Sequence, residues 1–184
     1  MRNPPSTTEA DAEQTLQRWR TRESELAARA APVGLARPDQ VAGKTGLQMF
    51  EAMLAGELPP PPITATLHFR LVEAAFGHAV FQGAPAFEHY NPMGGVHGGW
   101  MATLLDSCVG CAVHTLLPAG KAYTTLELKV NFVKGLTDRV PLVRAIGDVI
   151  HAGNRVATAE GRLVGADGTL YAHTTTTCLI FDPR

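Results

Sequence analysis

One long stretch of the chain carries apolar residues at the three- and four-residue spacing of a helix that buries one face. This pattern predicts a helix from Gly98 to about Leu116. Its apolar positions are Met101, Leu104, Leu105, Cys108 and Ala112. Asp106 is the only acidic residue in this segment, and helical spacing puts it on one face with the small residues Gly99, Thr103 and Gly110. The sequence therefore predicts a mostly buried central helix with a single carboxylate on a face of small groups.

Weaker helical patterns precede the central helix. A thin apolar stripe at Leu16, Trp19 and Leu26 predicts a helix that runs to about Ala31 and lies on a surface or packs against a partner subunit. A capping box at its start is expected from Ser6 and Glu9. A shorter helix, which Gly56 can end, is predicted from Leu47, Phe50 and Leu54.

Two connecting segments separate these helices from the rest of the chain. Residues from Pro32 to Ala42 read as a linker, and the prolines from Pro59 to Pro62 read as a stiff spacer that leads into a sheet. A phosphate-binding loop at Gly43-Lys44-Thr45 is rejected, because the first glycine of that motif falls on Pro38. We predict an N-terminal helical extension and linker over residues 1–44 and a single domain over residues 45–184.

From Ile63 onward the apolar period changes to two, which is typical of strands. A hairpin is predicted in which the second strand covers His78 to Gln82. After the central helix, four strands are predicted near 123–134, 140–150, 155–164 and 169–181, with hairpin turns at 152–154 and 166–168. The fold class is therefore α+β, with an antiparallel sheet wrapped around one helix. In the first of these strands Leu126, Leu128, Val130 and Phe132 are expected to form a continuous apolar face.

Composition narrows the range of functions. The chain has 184 residues, 45% hydrophobic and 18% charged, with a formal net charge of −1. This balance provides no electrostatic field for nucleic acid or an anionic membrane, so neither is expected as a partner. Without an apolar run long enough for a bilayer or a signal peptide, the expected location is the cytoplasm. The three cysteines are expected to be buried thiols, and no ligand cluster predicts a metal site or a cofactor.

The segment Asn91 to Asp106 concentrates the unusual chemistry. Four glycines surround His97 at the start of the central helix, where free backbone N–H groups can bind an anion or a developing oxyanion. On these residues alone, a surface loop followed by a solvated helix acid is an equally good interpretation. A lone histidine in such a loop is also more often structural.

A wider comparison of motifs favours an active site. The sequence Asn-x5-His-Gly-Gly is followed by Asp106 nine residues after the histidine, and then by the strand Thr-Thr-Leu-Glu-Leu-Lys-Val-Asn-Phe. This arrangement resembles the PaaI-like acyl-CoA thioesterases of the hotdog-fold superfamily. The resemblance extends from about Thr45 to Phe181. It implies a hotdog fold, hydrolysis of an acyl-CoA thioester to free acid and CoA, and a homodimer or dimer of dimers with its active sites at the subunit interface.

The resemblance also implies roles for individual residues. Asn91, His97 and Gly98 would place and polarise the thioester, while Asp106, contributed by the other subunit, would act as general base or nucleophile. Thr125 matches the residue that orients the attacking water. Strict alternation puts Thr124 rather than Thr125 on the side of Leu126, so Thr125 needs a bulge or a position at the rim of the sheet to reach the site.

Binding of the CoA phosphates is expected to depend on a few local cations. We assign Gly99, Lys134, Asn154 and Arg155 to substrate binding, since arginine binds phosphate in a bidentate manner. Lys134 is followed by Gly135-Leu136, where an Arg-Pro pair is common after this strand in the family. Two alternatives remain open at this stage: a non-catalytic acyl-CoA-binding or regulatory hotdog protein, and a hydratase. The hydratase is disfavoured because Asp106 lies within the helix rather than in the loop before it.

Overall fold

A computed structural model describes residues 8–183 of the chain. The helices are α1 (Glu9–Arg29), α2 (Pro38–Val41), α3 (Gly46–Ala55), α4 (Pro62–Thr66) and α5 (Gly98–Thr115). The strands are β1 (Phe69–Ala75), β2 (His78–Gly83), β3 (Ala122–Phe132), β4 (Val143–Ala152), β5 (Val156–Gly165) and β6 (Leu170–Phe181). A single 3-10 turn at Phe87–His89 precedes the loop that leads into α5.

The six strands form one antiparallel sheet in the order β1-β2-β4-β5-β6-β3. Helix α5 packs on one face of this sheet, where Leu104, Leu105 and Val109 are fully buried. Gly147 in the middle of β4 allows the close approach, since a Cβ there would collide with the backbone of Cys108. The hotdog fold predicted from the sequence, with a sheet around a central helix, is confirmed.

Helix α1 covers part of the opposite face of the sheet. Leu16 and Trp19 pack against Leu142, and Leu26 packs against Val72 and Val80. The apolar residues from which α1 was predicted are therefore the residues that α1 buries against the sheet. The predicted capping pair included Ser6, which lies outside the described residues; Thr8 and Asp11 form the capping box in the structure.

A polar network beneath α1 fixes the helix to the sheet. Arg144 of β4 is buried, donates a hydrogen bond from Nε to Gln82 Oε1 at 2.9 Å, and pairs with Glu73. Its guanidinium also lies 4.7 Å from the centre of the Trp19 ring. Gln82 in turn donates to Glu23 of α1 at 3.1 Å. Because these buried polar groups find partners on both elements, they fix the position of α1 on the sheet.

Two local predictions are wrong. The period-two reading from Ile63 fails because residues 62–66 form helix α4, and the first strand starts only at Phe69. Pro62 occupies the first turn of α4, where its fixed φ and missing N–H are compatible with a helix. The predicted linker from Pro32 to Ala42 contains the short helix α2, in which the Arg37 N–H donates to Gln40 Oε1 at 3.0 Å.

Strand β3 contains the bulge that the position of Thr125 required. Its pairing with β6 shifts register between Thr125 and Glu127, so that Leu126 is the extra residue. Leu126 is consequently 58% exposed, and the predicted continuous apolar face is wrong at that position. Thr125 is turned toward α5 instead. Within residues 8–183, no helix is both long and apolar enough to span a bilayer.

Candidate active site

The N-terminus of α5 is capped by His97. The ring atom Nδ1 accepts a hydrogen bond from the Gly99 N–H at 2.8 Å, and the His97 backbone carbonyl accepts from Trp100 N–H at 3.0 Å. The N–H of Gly98 makes no hydrogen bond within residues 8–183. The first turn of the helix therefore presents one free donor, at Gly98, where the helix dipole favours negative charge. The Gly99 N–H donates to His97 Nδ1, so Gly99 is exposed but provides no second free donor for a ligand.

The loop before the helix is held in shape by its own hydrogen bonds. Asn91 Oδ1 accepts from Met93 N–H at 2.9 Å and from Gly95 N–H at 3.4 Å, and Gly94 has a φ of 82°. The loop is also tied to the preceding turn, because the His97 N–H donates to the His89 carbonyl at 2.7 Å. Since the oxygen of the Asn91 amide is used inside the loop, its NH₂ group is the part that can donate to a ligand.

Asp106 and Thr125 meet between α5 and β3. The Thr125 hydroxyl donates to Asp106 Oδ1 at 3.0 Å. Both residues are partly exposed. The bulge at Leu126 allows this contact, since regular alternation along β3 would have turned Thr125 away from α5. The carboxylate is thus oriented by a neighbouring hydroxyl and remains open to a ligand.

The face of α5 that carries Asp106 runs alongside β3, and we call the partly exposed strip between these two elements the cleft. Gly99, Thr103 and Asp106 keep solvent exposure, although the rest of the helix is largely buried. At one end the Phe132 ring lies over Gly98, where a Cβ would come within 2.9 Å of the ring. At the other end Tyr123 covers Gly110, and a Cβ there would be 2.9 Å from the tyrosine hydroxyl. The small residues of this face thus leave room for aromatic side chains from β3.

One chain does not bring the two halves of the predicted site together. Gly98 and Asp106 are eight residues apart on one helix, which separates them by about 12 Å along its axis. The loop residues Asn91 and His97 lie at the Gly98 end. A small group bound at Gly98 is therefore out of reach of the Asp106 carboxylate in the same chain.

The predicted substrate-binding residues Lys134, Asn154 and Arg155 lie at opposite ends of the cleft. Lys134 lines a groove of about 460 Å³ together with Asn91, Gly95 and Phe132, close to the start of α5. Asn154 and Arg155 lie in the turn between β4 and β5, where the Arg155 carbonyl accepts from Ile180 N–H at 2.8 Å. Ile180 pairs with Tyr123, so this turn belongs to the far end of the cleft.

The thiols near the cleft are poor nucleophiles. Burial raises the pKa of Cys108 well above its usual value, and the Cys111 pKa is raised to about 12, mainly by burial. The thiolate is the nucleophilic form of cysteine. Among the polar groups of the cleft, the Asp106 carboxylate and a water molecule next to it are therefore the stronger candidates for attack on a substrate.

A possible metal-binding group that the sequence prediction missed lies beside the loop. The candidate ligand atoms of His68, Glu88 and His89 are within 4.8 Å of one another. His89 Nδ1, however, accepts a hydrogen bond from Ala86 N–H at 3.1 Å, which places the proton of the neutral ring on Nε2. A ring in this tautomer has no free lone pair for a metal ion. The arrangement is therefore better described as a contact of 3.2 Å between His68 Nδ1 and Glu88 Oε1 beside a buried histidine.

Two cleft residues, Tyr123 and Phe132, were missed by sequence reasoning as functional candidates. Each belongs to the inner face of β3 and contacts a glycine of α5. The signal that could have found them is the order of residues along the two elements. Gly98, Asp106 and Gly110 follow one another along the helix, and their contacts on the strand, Phe132, Thr125 and Tyr123, follow in the reverse order. That correspondence follows only once α5 and β3 are known to pack side by side.

Comparison with known proteins shows which family this part of the chain is similar to. Residues 93–172, which include α5, Asp106 and Thr125, match the model of the thioesterase superfamily. This match, together with the fold, supports a hotdog-fold thioesterase. A comparison of the chain with curated proteins finds no match.

Solved structures of similar proteins show the same fold. A phenylacetic acid degradation-related protein of Ralstonia eutropha is 29% identical, with a TM-score of 0.64 over 71% of this chain and 98% of the other. A variant of the phenylacetic acid degradation protein PaaI from Thermus thermophilus is 26% identical, with a TM-score of 0.58 over 64% and 97%. A thioesterase family protein from Silicibacter pomeroyi is 25% identical, with a TM-score of 0.62 over 66% and 90%.

Proposed function

We propose that the protein hydrolyses acyl-CoA thioesters at a site built from two copies of the chain. Water adds to the thioester carbonyl carbon, the carbon–sulfur bond breaks, and the products are a free carboxylic acid and CoA, whose sulfur takes up a proton. The observation that carries this proposal is that one helix holds both a free N–H at its start, on Gly98, and a carboxylate, Asp106, that accepts a hydrogen bond from the Thr125 hydroxyl. The Gly98 N–H is suited to stabilise a developing oxyanion, and the Asp106 carboxylate is suited to activate the attacking group.

The residues at the helix start would hold the carbonyl. The Gly98 N–H donates to its oxygen, and the helix dipole adds a favourable contribution of ~1 kcal/mol to the negative charge that develops there. The side-chain NH₂ group of Asn91 would donate to the same carbonyl oxygen. His97 keeps the first turn in place through its bond to the Gly99 N–H at 2.8 Å.

The carboxylate would come from a second copy. Because Gly98 and Asp106 of one chain are separated by about 12 Å along the helix, a thioester at Gly98 needs the Asp106 of the partner subunit. Strand β3 offers the surface for this association. It is an edge strand of 11 residues, and within residues 8–183 one side of its backbone is unpaired. It exposes Leu126, Phe132 and neighbouring Val133.

Charges along β3 favour one register for this dimer. A two-fold axis at Leu128 would pair two β3 strands in antiparallel fashion and put Glu127 opposite the partner subunit's Lys129. Both side chains are exposed. The same register brings the Thr125 end of one strand to the Phe132 end of the other. It therefore delivers the partner subunit's Asp106 toward Gly98, as the chemistry requires.

The geometry supports two roles for Asp106. The carboxylate can act as general base on a water molecule, or it can attack the carbonyl itself and form an anhydride that water then hydrolyses. In both cases Thr125, whose hydroxyl donates to Asp106 at 3.0 Å, positions the carboxylate or the water beside it. No metal ion or organic cofactor takes part in this scheme. Lys134 and Arg155 are the cations proposed for the CoA phosphates.

The test is a thiol-release assay on a panel of acyl-CoA esters, with the Asp106→Asn variant as the control. Release of CoA by the wild type, lost in the variant, supports the proposal. Binding of acyl-CoA without release would instead support the alternative of a non-catalytic acyl-CoA-binding protein. Light scattering on the same samples tests the dimer, and a protein that stays monomeric at micromolar concentration while hydrolysing the esters would contradict the two-copy site.

A further inference from the structure

Tyr123 closes the cleft one helical turn beyond Asp106. Along the exposed face of α5, Thr103 and Asp106 are open, but the next residue on this face, Gly110, is buried. The reason is the Tyr123 side chain, whose hydroxyl would lie 2.9 Å from a Cβ at Gly110. The glycine therefore provides the space in which the tyrosine ring sits.

The tyrosine is held in place from several sides. Its ring lies 5.3 Å from the His114 ring, which in turn packs edge-on against Phe50 at 5.2 Å. Its hydroxyl lies next to the Cys111 thiol. Burial raises the Tyr123 pKa well above its usual value, and the charge of Asp106 raises it further, so the hydroxyl is neutral. A ring with these contacts is a fixed wall rather than a mobile side chain.

A second space lies on the far side of this wall. Tyr123 also lines a groove of about 420 Å³ that is mostly apolar. Its other walls include Met49, His114 and Pro118. The tyrosine ring thus separates this groove from the carboxylate end of the cleft.

We propose that Tyr123 is the end wall of the acyl pocket and restricts the enzyme to short or compact acyl groups. This inference rests on the proposed thioester hydrolysis. Once the thioester carbonyl is at Gly98 and beside the Asp106 of the partner subunit, the acyl group can extend along that subunit's α5 toward Gly110. From Asp106 to Gly110 the distance along the helix is about 6 Å. That length holds a chain of a few carbons or a single ring.

The experiment compares kcat/KM for butyryl-, phenylacetyl-, octanoyl- and dodecanoyl-CoA in the wild type and in Tyr123→Ala. The wild type is expected to favour the two compact esters. Removing the ring joins the cleft to the groove behind it, so kcat/KM for dodecanoyl-CoA relative to butyryl-CoA should rise by ~10-fold or more. Each methylene that becomes buried can add about fourfold, which corresponds to ~0.8 kcal/mol.

Two further variants separate the wall from a merely structural role. Tyr123→Phe keeps the ring and should retain the wild-type preference, although the hydroxyl beside Cys111 is lost. Adding Met49→Trp to Tyr123→Ala refills the groove and should reverse the gain for long chains. A structural role would instead change all esters alike and would not respond to Met49→Trp.

Several results would overturn the inference. A wild type that hydrolyses dodecanoyl-CoA as well as butyryl-CoA rejects the wall, whether or not Tyr123→Ala folds. An unchanged chain-length preference in folded Tyr123→Ala also rejects it, while leaving the proposed hydrolysis intact. A wild type that hydrolyses no acyl-CoA rejects the proposed function itself, and the acyl pocket with it.

Discussion

A histidine side chain replaces the usual serine, threonine or aspartate at the start of α5. His97 Nδ1 accepts the Gly99 N–H at 2.8 Å, which satisfies one of the unpaired donors of the first turn. Because that bond is made at the second residue of the helix, the N–H of Gly98 is left for a ligand. The histidine predicted to help place the loop and the thioester therefore has a clear structural contact. The hydrogen bond that His97 accepts from Gly99 leaves the Gly98 N–H as the free donor.

The first residue-scale prediction concerns Asp106. Asp106→Asn keeps the size of the side chain and its ability to meet Thr125, but it removes the base or nucleophile. We expect kcat for any acyl-CoA substrate to fall by ~100-fold or more. Ground-state binding should persist or tighten slightly, because a negative charge near the CoA polyanion is gone. A melting curve alongside the kinetics shows whether the variant is folded, and near-normal turnover in a folded variant would refute the catalytic role.

The second residue-scale prediction isolates the Gly98 N–H. Gly98→Pro removes this donor, and proline is well tolerated in the first turn of a helix after an extended residue such as His97. We expect a loss of about 10²–10³-fold in kcat, the usual effect of removing an oxyanion donor. Gly98→Ala is the matched control, because it adds a Cβ against Phe132 but retains the N–H. Equal losses in both variants would assign the effect to the Phe132 contact instead.

At the scale of elements, α1 and the sheet are joined by both apolar and polar contacts. Trp19 packs on Leu142 and lies over the Arg144 guanidinium, which bonds to Gln82 and Glu73. The contacts lie on the face of the sheet opposite α5. The N-terminal extension therefore stabilises the domain from the side away from the proposed site, and its loss should affect stability before chemistry.

Trp19→Ala tests this division of roles. Removing the ring should lower the free energy of unfolding by about 3 kcal/mol, as large-to-small changes at buried aromatic positions do, and should leave kcat near the wild-type value. Gln17→Ala on the exposed side of α1 is the control, for which the stability change should stay within about 0.5 kcal/mol. Denaturant titration gives both numbers. A large fall in kcat at temperatures where Trp19→Ala is folded would link α1 to the site.

The sequence predicts elements well where one local signal decides their structure. Helix α5 follows from the spacing of Leu104, Leu105 and Cys108, and the end of α3 follows from Gly56, whose φ is 83°. Near Ile63 two local signals compete. Alternating residues favour a strand, while proline at the first helical position favours α4, and the short helix forms.

Parts of the candidate site depend on contacts that local patterns do not contain. The pattern indicated that Thr125 needs a bulge or a rim position, but only the pairing of β3 with β6 shows the bulge at Leu126. The packing of Tyr123 on Gly110 joins residues from two elements, and neither residue has a distinctive neighbourhood in the sequence. The carboxylate and the helix start are recognisable from motifs, whereas the shape of the cleft requires the folded chain.

At the scale of the whole molecule, histidines whose pKa is lowered in the folded chain make stability depend on pH. Burial lowers the pKa of His114, which packs between Phe50 and Tyr123, below its usual value of 6.5. The unfolded chain then binds a proton more readily than the folded chain. The stability from the neutral ring is present above pH 6.5 and is lost as the pH falls through the lower folded pKa.

His114→Gln should therefore weaken the pH dependence of folding. We expect the free energy of unfolding of the wild type to fall between neutral and mildly acidic pH, and the variant to show a smaller fall. Urea titrations at several pH values measure both slopes. His89 has a pKa lowered by the same cause and contributes in the same direction, so a residual slope is expected. A slope that does not change in the variant would contradict the assignment to His114.

The central claim, that each active site combines the helix start of one chain with the Asp106 of its partner subunit, can be tested by complementation. Gly98→Pro and Asp106→Asn are each expected to be nearly inactive alone. In dimers formed from an equal mixture of unfolded chains, each mixed dimer holds one intact site. Random pairing predicts recovery of about a quarter of the wild-type kcat per site. A mixture no more active than the average of the two separate variants would place each site within one chain and contradict the account.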